Sequence, residues 1–326
     1  LLTGSPFYNH PVDLSSLVNL AAHRKVLPHD KAEFESRFVT EEKVKPGLLD
    51  SLQGATEGVR PVLYAPRAGE LREAYKKWVD YHPGSREGFP DVTEKTVEVP
   101  MTDAQRKVYD TLMGQAPAWV SAKVKRGLPP SKQEAQELNA FLGAVRQAAN
   151  STRPFQQQGT AEEPKIQAAF EALKKHLDEN PRGKGVVYSN FLDAGIKPYA
   201  ERLRAAGIPY GEFTGEMQQD ARDQMVRDYN EGKLRALLLS SAGGEGLDLK
   251  GTRMLQILDP HWNNEKLRQV IGRGARYKSH EALPEEERKL LIERYHTIYP
   301  KSLLQRAGEL VGRKPDQTVD HFLHSM

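Results

Sequence analysis

From Leu239 to Leu249 the chain reads Leu-Ser-Ser-Ala-Gly-Gly-Glu-Gly-Leu-Asp-Leu, with three glycines in four positions directly after an apolar run. Glycine in such a turn lets the backbone bend tightly and brings N–H groups close to a phosphate. The hydroxyls of Ser240 and Ser241 can add donors to a phosphate oxygen. An ordinary glycine-rich turn would read the same way. Further on stands Gln269-Val270-Ile271-Gly272-Arg273-Gly274-Ala275-Arg276. On a helix, residues 269, 273 and 276 share a face, which aims one amide and two guanidiniums in one direction. A planar guanidinium held against a nucleotide stabilises the charge on a transferring phosphoryl group, and lysine lacks its bidentate fork. On charge alone, the run Arg268, Arg273, Arg276, Lys278 and His280 reads most simply as a solvated helix face.

Other chemistries find less support. Cysteine is absent, which removes disulfides, thiolate zinc sites and cysteine nucleophiles together and fits a reducing compartment. The ten histidines show no metal-ligand spacing, and His29, His82, His176 and His261 read as surface or packing residues. Glu285-Glu286-Glu287 reads as an exposed acidic turn, and no Ser–His–Asp arrangement has local support. No Gly-x-x-x-x-Gly-Lys-[Ser/Thr] occurs, and Gly183-Lys184-Gly185 is too short and runs straight into a strand.

The elements that must position these residues alternate from about residue 161 onward. A helix is predicted over 163–178, a strand at Gly185–Ser189, a helix over 194–206 and a short strand from Ile208 to Phe213. A helix over 218–231 follows, then strands at Leu234–Ser240 and Arg253–Leu258, a helix over 264–275 and a last strand at Lys289–Tyr295. Short apolar strands separated by helices predict an α/β fold, a doubly wound parallel sheet covered on both faces. Sites in such sheets gather at the carboxyl ends of the strands. Upstream, residues 1–20 read as a strand end and an amphipathic helix carrying Leu14, Leu17, Val18 and Leu20. Residues 21–95 are proline-punctuated and read as a connecting insertion. Thr96–Val99 alternates like a strand, and Thr102 caps a helix carrying Val108, Tyr109 and Leu112. Helical stretches reach 149, and 151–160 is loop.

The 326 residues are 38% hydrophobic and 28% charged, with a formal net charge of +3. That is an ordinary globular composition, and the near-neutral balance neither demands nor excludes a polyanionic partner. No run approaches the ~18 apolar residues of a membrane span. Leu1-Leu2-Thr3-Gly4-Ser5-Pro6 has neither the basic lead nor the apolar stretch of a signal peptide, and the chain is expected to begin inside something longer.

The spacing from Ser240 to Arg276 resembles, without a gap, the end of SWI/SNF-like motors of helicase superfamily 2. The glycine-rich segment is similar to motif V. Asp259-Pro260-His261-Trp262-Asn263 is similar to the Asp-x-x-Trp-Asn element, and Gln269 to Arg276 to motif VI. Leu1–Pro6 looks like motif III, the end of the first lobe. Val99-Pro100-Met101-Thr102 with Gln105 and Tyr109 looks like the opening of the second lobe, and Val187-Tyr188-Ser189-Asn190-Phe191 like motif IV. Phe213-Thr214-Gly215 with Arg222 matches the next strand–turn–helix. Arg276-Tyr277-Lys278-Ser279-His280, Leu283-Pro284, Arg288, Phe141-Leu142 and Arg146-Gln147-Ala148-Ala149-Asn150 resemble helicases of large DNA viruses and phages.

The resemblance implies a RecA-like second helicase lobe over 161–326, a helical part of it over 96–160, the connecting insertion over 21–95 and a tail of the first lobe over 1–20. It implies Arg276 as the arginine finger, Arg273 as a second phosphate contact, and Gln269 and Gly246 at the nucleotide. Asp248 would sit near the ribose or the metal shell. Ser189, Asn190, Ser240, Ser241 and Gly243 would grip the backbone of the tracked strand, and Trp262 would lie against nucleic acid unless it is a buried core indole. The implied function is an ATP-dependent DNA translocase or helicase. RNA helicase and a non-catalytic transcription-factor subunit are the alternatives. ATP and Mg²⁺ would be held mainly by a first RecA-like lobe, in the same or a separate chain, because the P-loop and the Asp-Glu pair are not in these residues. The 326 residues alone are then expected to hydrolyse no ATP. Expected partners are double-stranded DNA and transcription or replication machinery, with no membrane. The expected location is cytoplasmic or nuclear, including a virus factory or virion, and not secreted.

Overall fold

The computed structural model describes residues 10–47, 51–52, 55–80, 87–156, 159–213, 215, 217–240, 247–260, 271–272, 274–300 and 315–325. Its centre is a six-stranded parallel sheet. The strands are β3 (Asp91–Pro100), β4 (Gly185–Ser189), β5 (Tyr210–Phe213), β6 (Ala236–Ser240), β7 (Met254–Ile257) and β8 (Lys289–Ile298), in the order β3-β8-β7-β4-β6-β5. Every residue of β4, β6 and β7 is buried, which is why these strands read as unbroken apolar runs rather than alternating ones. Successive side chains still part to opposite faces. Val187 and Leu238 pack against the helices Pro164–Glu179 and Lys197–Ala205 through Phe170, Leu173, Tyr199 and Leu203. Val186, Tyr188, Leu237 and Leu239 pack on the other face with Tyr229 of the helix Gln219–Asn230. The doubly wound α/β lobe is the expected one.

Two elements differ from the sequence reading. β3 starts at Asp91 rather than Thr96 and pairs with β8 over ten positions, from Asp91↔Lys289 to Pro100↔Ile298. It is an edge strand whose first residues are solvent-exposed and, Val92 apart, polar, so no apolar pattern marks its start. The helix expected over 194–206 opens as a widened π-turn, Leu192–Ile196, closed by Ile196 N–H donating to Phe191 O at 3.0 Å. A Cβ on Gly195 would stand 2.1 Å from Ser189 Oγ, so the turn brings bare backbone against the end of β4.

Between β3 and β4, the helix Asp103–Gln115 begins at Thr102, whose hydroxyl accepts from Gln105 N–H at 3.0 Å as its sequence predicts. The helix Lys132–Asn150 starts with a Ser131–Glu134 capping box. Tyr109, Met113, Val120, Leu138, Leu142 and Val145 form a second core that the short helix Val319–Ser325 closes with Val319, Phe322 and Leu323. Upstream, the helices Val12–Ala22, Lys31–Phe38 and Ala65–Trp78 share a core of Leu14, Val18, Phe34, Phe38 and Leu71. They stand beside the antiparallel pair β1 (Val39–Val44) and β2 (Gly58–Leu63). The amphipathic helix expected early in the chain therefore packs on residues of the insertion, and Leu20, expected on its apolar face, is 58% exposed.

Candidate nucleotide and nucleic-acid site

All six strands run one way, so their carboxyl ends share one edge. From β4 the chain travels toward β5, and from β7 toward β8 on the other side. The connections diverge between β4 and β7, where an open α/β sheet leaves a crevice at its carboxyl edge. Asp259, 1% exposed, stands there just past β7. Its carboxylate accepts from Ser189 Oγ at 2.5 Å, Asn190 N–H at 2.8 Å, Asn190 Nδ2 at 2.5 Å and Asn150 Nδ2 at 2.9 Å. Tyr188 hydroxyl donates to Asn190 Oδ1 at 3.1 Å, so both ends of that amide are engaged. Arg146 Nη2 donates to Pro260 O at 3.0 Å, and its guanidinium lies 5.2 Å from the centre of the Phe191 ring.

This geometry corrects the expectation that the hydroxyls of Ser189 and Ser240 grip a nucleic-acid backbone. Ser189 is fully buried with its proton on Asp259, and Ser240 is 5% exposed with its hydroxyl on Phe213 O at 3.1 Å. Each ends a strand buried on both faces, where a hydroxyl without an internal partner would be costly. They frame the edge, and of the described candidates Asn190 is the one that reaches partly into solvent. Ser241, Gly243 and Trp262, and on the nucleotide side Gly246, Gln269 and Arg273, lie outside the described residues. Asp259, Asn150 and Arg146 were legible only as parts of a family likeness and carried no assigned role. The signal for the last two was a polar pair four residues apart at the end of a helix that is otherwise apolar on that face.

Arg276 and Asp248 lie elsewhere. Arg276 Nη1 is 3.7 Å from Asp248 Oδ1, with the side chains 45% and 59% exposed. Asn230 fixes the Asp248 segment by donating to Asp248 O at 3.0 Å and accepting from Lys250 N–H at 2.8 Å. Ser279 fixes the Arg276 end, donating its hydroxyl to Arg276 O at 2.7 Å and accepting from Gly251 N–H at 2.7 Å. Lys278 N–H donates to Gly88 O at 2.6 Å, just ahead of β3, so this pair lies toward the beginnings of the strands. The two groups of candidates are thus separated by the length of the central strands, roughly 17 Å for five residues.

A guanidinium with a loose partner in solvent can turn to a phosphate, and the Asp248 carboxylate can accept from a ribose hydroxyl or a metal-bound water. Nearby, His280 Nε2 is 2.6 Å from Thr252 O. Burial, with smaller contributions from Arg253 and Lys184, holds its pKa below the usual imidazole value against that hydrogen bond. Burial also pushes the Lys184 ammonium down to about 8. Among the described residues no three His, Asp or Glu side chains converge to hold a metal ion, and no helix is long and apolar enough to cross a membrane.

The helicase conserved C-terminal domain family matches residues 168–278, from the first helix of the lobe through Arg276. A protein of Acanthamoeba polyphaga mimivirus named as an ATP-dependent RNA helicase is 34% identical over 308 residues, covering 92% of this chain and 62% of the relative. A termination factor NPH-I homolog of African swine fever virus is 23% identical over 399 residues, covering 99% of this chain and 54% of the relative. The chain therefore spans somewhat more than half the length of these viral relatives. The Sulfolobus solfataricus SWI2/SNF2 ATPase core in complex with double-stranded DNA aligns over 95% of this chain and 59% of its own, at 16% identity and a TM-score of 0.49. That likeness is too distant to add to the topology already described. The parallel-sheet lobe thus carries, from its first helix through Arg276, a segment that matches the helicase conserved C-terminal domain family.

Proposed function

We propose that this chain is the arginine-finger lobe of a SWI/SNF-like, ATP-driven DNA translocase. The observation that carries the reading is the placement of Arg276: its guanidinium is at the surface, on an exposed carboxylate, and not packed into the core. ATP held by a partner lobe would bring its phosphates to Arg276 and Arg273, with Gln269, Gly246 and Asp248 around the nucleotide. Mg²⁺ would come with the phosphates and the partner lobe's carboxylates. When bound, the nucleotide and its metal supply the phosphoryl group to be transferred. This chain's part is to neutralise charge on that group through fixed guanidiniums, worth on the order of 10³–10⁵ in rate.

Nucleic acid would lie along the carboxyl edge, against Asn190 and the segments carrying Ser241, Gly243 and Trp262. Contacts of that kind go to the phosphate backbone, so binding is sequence-independent and weakens steeply with salt. The 326 residues hold no P-loop, so turnover depends on a phosphate-cradling lobe in the same or a second chain. RNA is the second reading, favoured by the name of the mimivirus relative.

The test is Arg276→Ala in the protein together with its first lobe. ATP turnover is expected to collapse while duplex DNA binding stays within about twofold of wild type. Equal loss of both would sink the assignment. Parallel titrations with duplex DNA and RNA decide which polymer stimulates.

A further inference from the structure

The Asp259 carboxylate takes two of its donor residues from the end of β4, beside it in the sheet, and the third from far away. Asn150, in the last turn of the helix Lys132–Asn150, is 109 residues distant in sequence. One turn earlier on the same face, Arg146 holds Pro260 O and covers Phe191. Arg146 is 7% exposed and Asn150 fully buried. Together they close on the Asp259-Pro260 step, the point from which the chain enters His261-Trp262-Asn263.

Core packing does not require either side chain. Leu138, Leu142, Val145 and Ala149 already fill the apolar face of that helix. Apolar residues at 146 and 150 would avoid the desolvation that a guanidinium and an amide must offset with partners. The cluster also has polar capacity left over. Arg146 Nε and Asn150 Oδ1 are buried with no hydrogen-bond partner among the described residues. Leaving such groups unmade costs about 1–3 kcal/mol each.

We infer that Arg146 and Asn150 are positioning residues for the Asp259–Pro260 end of the carboxyl edge, where the translocase reading puts nucleic acid, so that the helical part of the lobe sets how strongly nucleic acid stimulates ATP turnover. The inference rests on the translocase reading above. Neither side chain touches ATP or the reacting atoms in this scheme. Both act through Asp259 and Pro260.

The experiment uses the protein with its first lobe, titrated with duplex DNA, or with RNA if RNA is the stimulating polymer. Asn150→Asp sets a second carboxylate against Asp259, and at pH 7.5 the nucleic acid needed for half-maximal stimulation should rise about tenfold, the scale of one lost hydrogen bond to a charged group. As pH falls toward 5.5 the carboxyl pair takes up a shared proton, the hydrogen bond returns, and stimulation should recover. Arg146→Gln, too short to reach Pro260 O, should raise the same concentration at every pH without acid recovery, and it carries the comparison if Asn150→Asp does not fold. An unchanged titration in folded variants would overturn the inference. So would basal and stimulated turnover falling by one common factor with no acid recovery, which would mark a purely structural role. A wild-type protein that turns over ATP with no response to DNA or RNA would instead remove the translocase reading, and this inference with it.

Discussion

Arg276 and Asp248 form an ion pair at the protein surface, 3.7 Å from Nη1 to Oδ1, and both belong to the group of residues predicted to face a nucleotide. An exposed pair of this length contributes at most about 1 kcal/mol, whereas a phosphate offers the guanidinium two parallel charge-assisted hydrogen bonds. So exposed a pair leaves the guanidinium free to turn to a phosphate brought against this surface.

Asp248→Asn should leave stability within about 1 kcal/mol of wild type, because so exposed a pair contributes little. If Asp248 meets the ribose or the metal's waters, KM for ATP rises in the protein with its first lobe. Steady-state kinetics beside a thermal melt check this. A large drop in Tm with unchanged KM would show that the carboxylate serves the fold instead.

Gly195 stands in the widened turn after β4, where an alanine would ordinarily stabilise a helical segment by about 0.5–1 kcal/mol. Here the added methyl would meet Ser189 Oγ at 2.1 Å and push on the Asp259 cluster. Gly195→Ala should therefore destabilise by about 1–3 kcal/mol. Urea unfolding measures it, and a gain in stability would mean that the turn relaxes away from β4 at little cost.

The lobe was legible in the sequence because its central strands are buried on both faces. Ala236–Ser240 and Gly185–Ser189 read as apolar blocks, and the helices between them follow from the same spacing. What escaped had no such signature. The start of β3 is polar because it is an exposed edge, and the Leu192–Ile196 turn depends on contact with Ser189, which is a tertiary fact. The inward turn of Ser189 and Ser240 was hidden for the same reason. A serine reads alike whether its proton goes to a phosphate or to Asp259. The motif spacing pointed to the carboxyl edge without showing that Asn150 and Arg146, from another part of the chain, hold Asp259 and Pro260 there.

Lys165 and Asp320 form a fully buried ion pair at 2.6 Å that ties the first helix of the lobe to the helix Val319–Ser325. Asp320 also accepts from Thr297 N–H at 2.8 Å. Lys165→Met leaves a carboxylate buried with that single amide donor and should cost about 3–5 kcal/mol. The double variant Lys165→Met with Asp320→Leu removes both charges and should recover much of the loss. Denaturant midpoints of the two single variants and the double variant decide this. Additive losses in the double variant would show that the pair is not coupled in this way.

His296 should give the fold a dependence on acid. It is 2% exposed on β8, and its Nδ1 has no hydrogen-bond partner among the described residues. The rings of His321 and His324 lie 5.3 and 4.8 Å from its own. Burial pushes its pKa down to about 4. The neighbouring Asp320 carboxylate opposes the shift, and His324, His321 and Lys165 reinforce it. In the unfolded chain an imidazole titrates near 6.5, so between about pH 6.5 and pH 4 the unfolded state binds the extra proton. The sign follows: the contribution is fully present above pH 6.5 and is lost as pH falls toward 4, with a ceiling of about 3 kcal/mol for a shift of this size. His296→Gln removes the titration. Carboxylates also protonate in the lower part of this window in both proteins, so the measured quantity is the difference between wild type and variant. Urea midpoints taken from pH 7 to pH 4.5 should fall more steeply for wild type than for His296→Gln. Parallel curves would show that the imidazole is reached by water when charged and that its burial carries no pH-dependent stability.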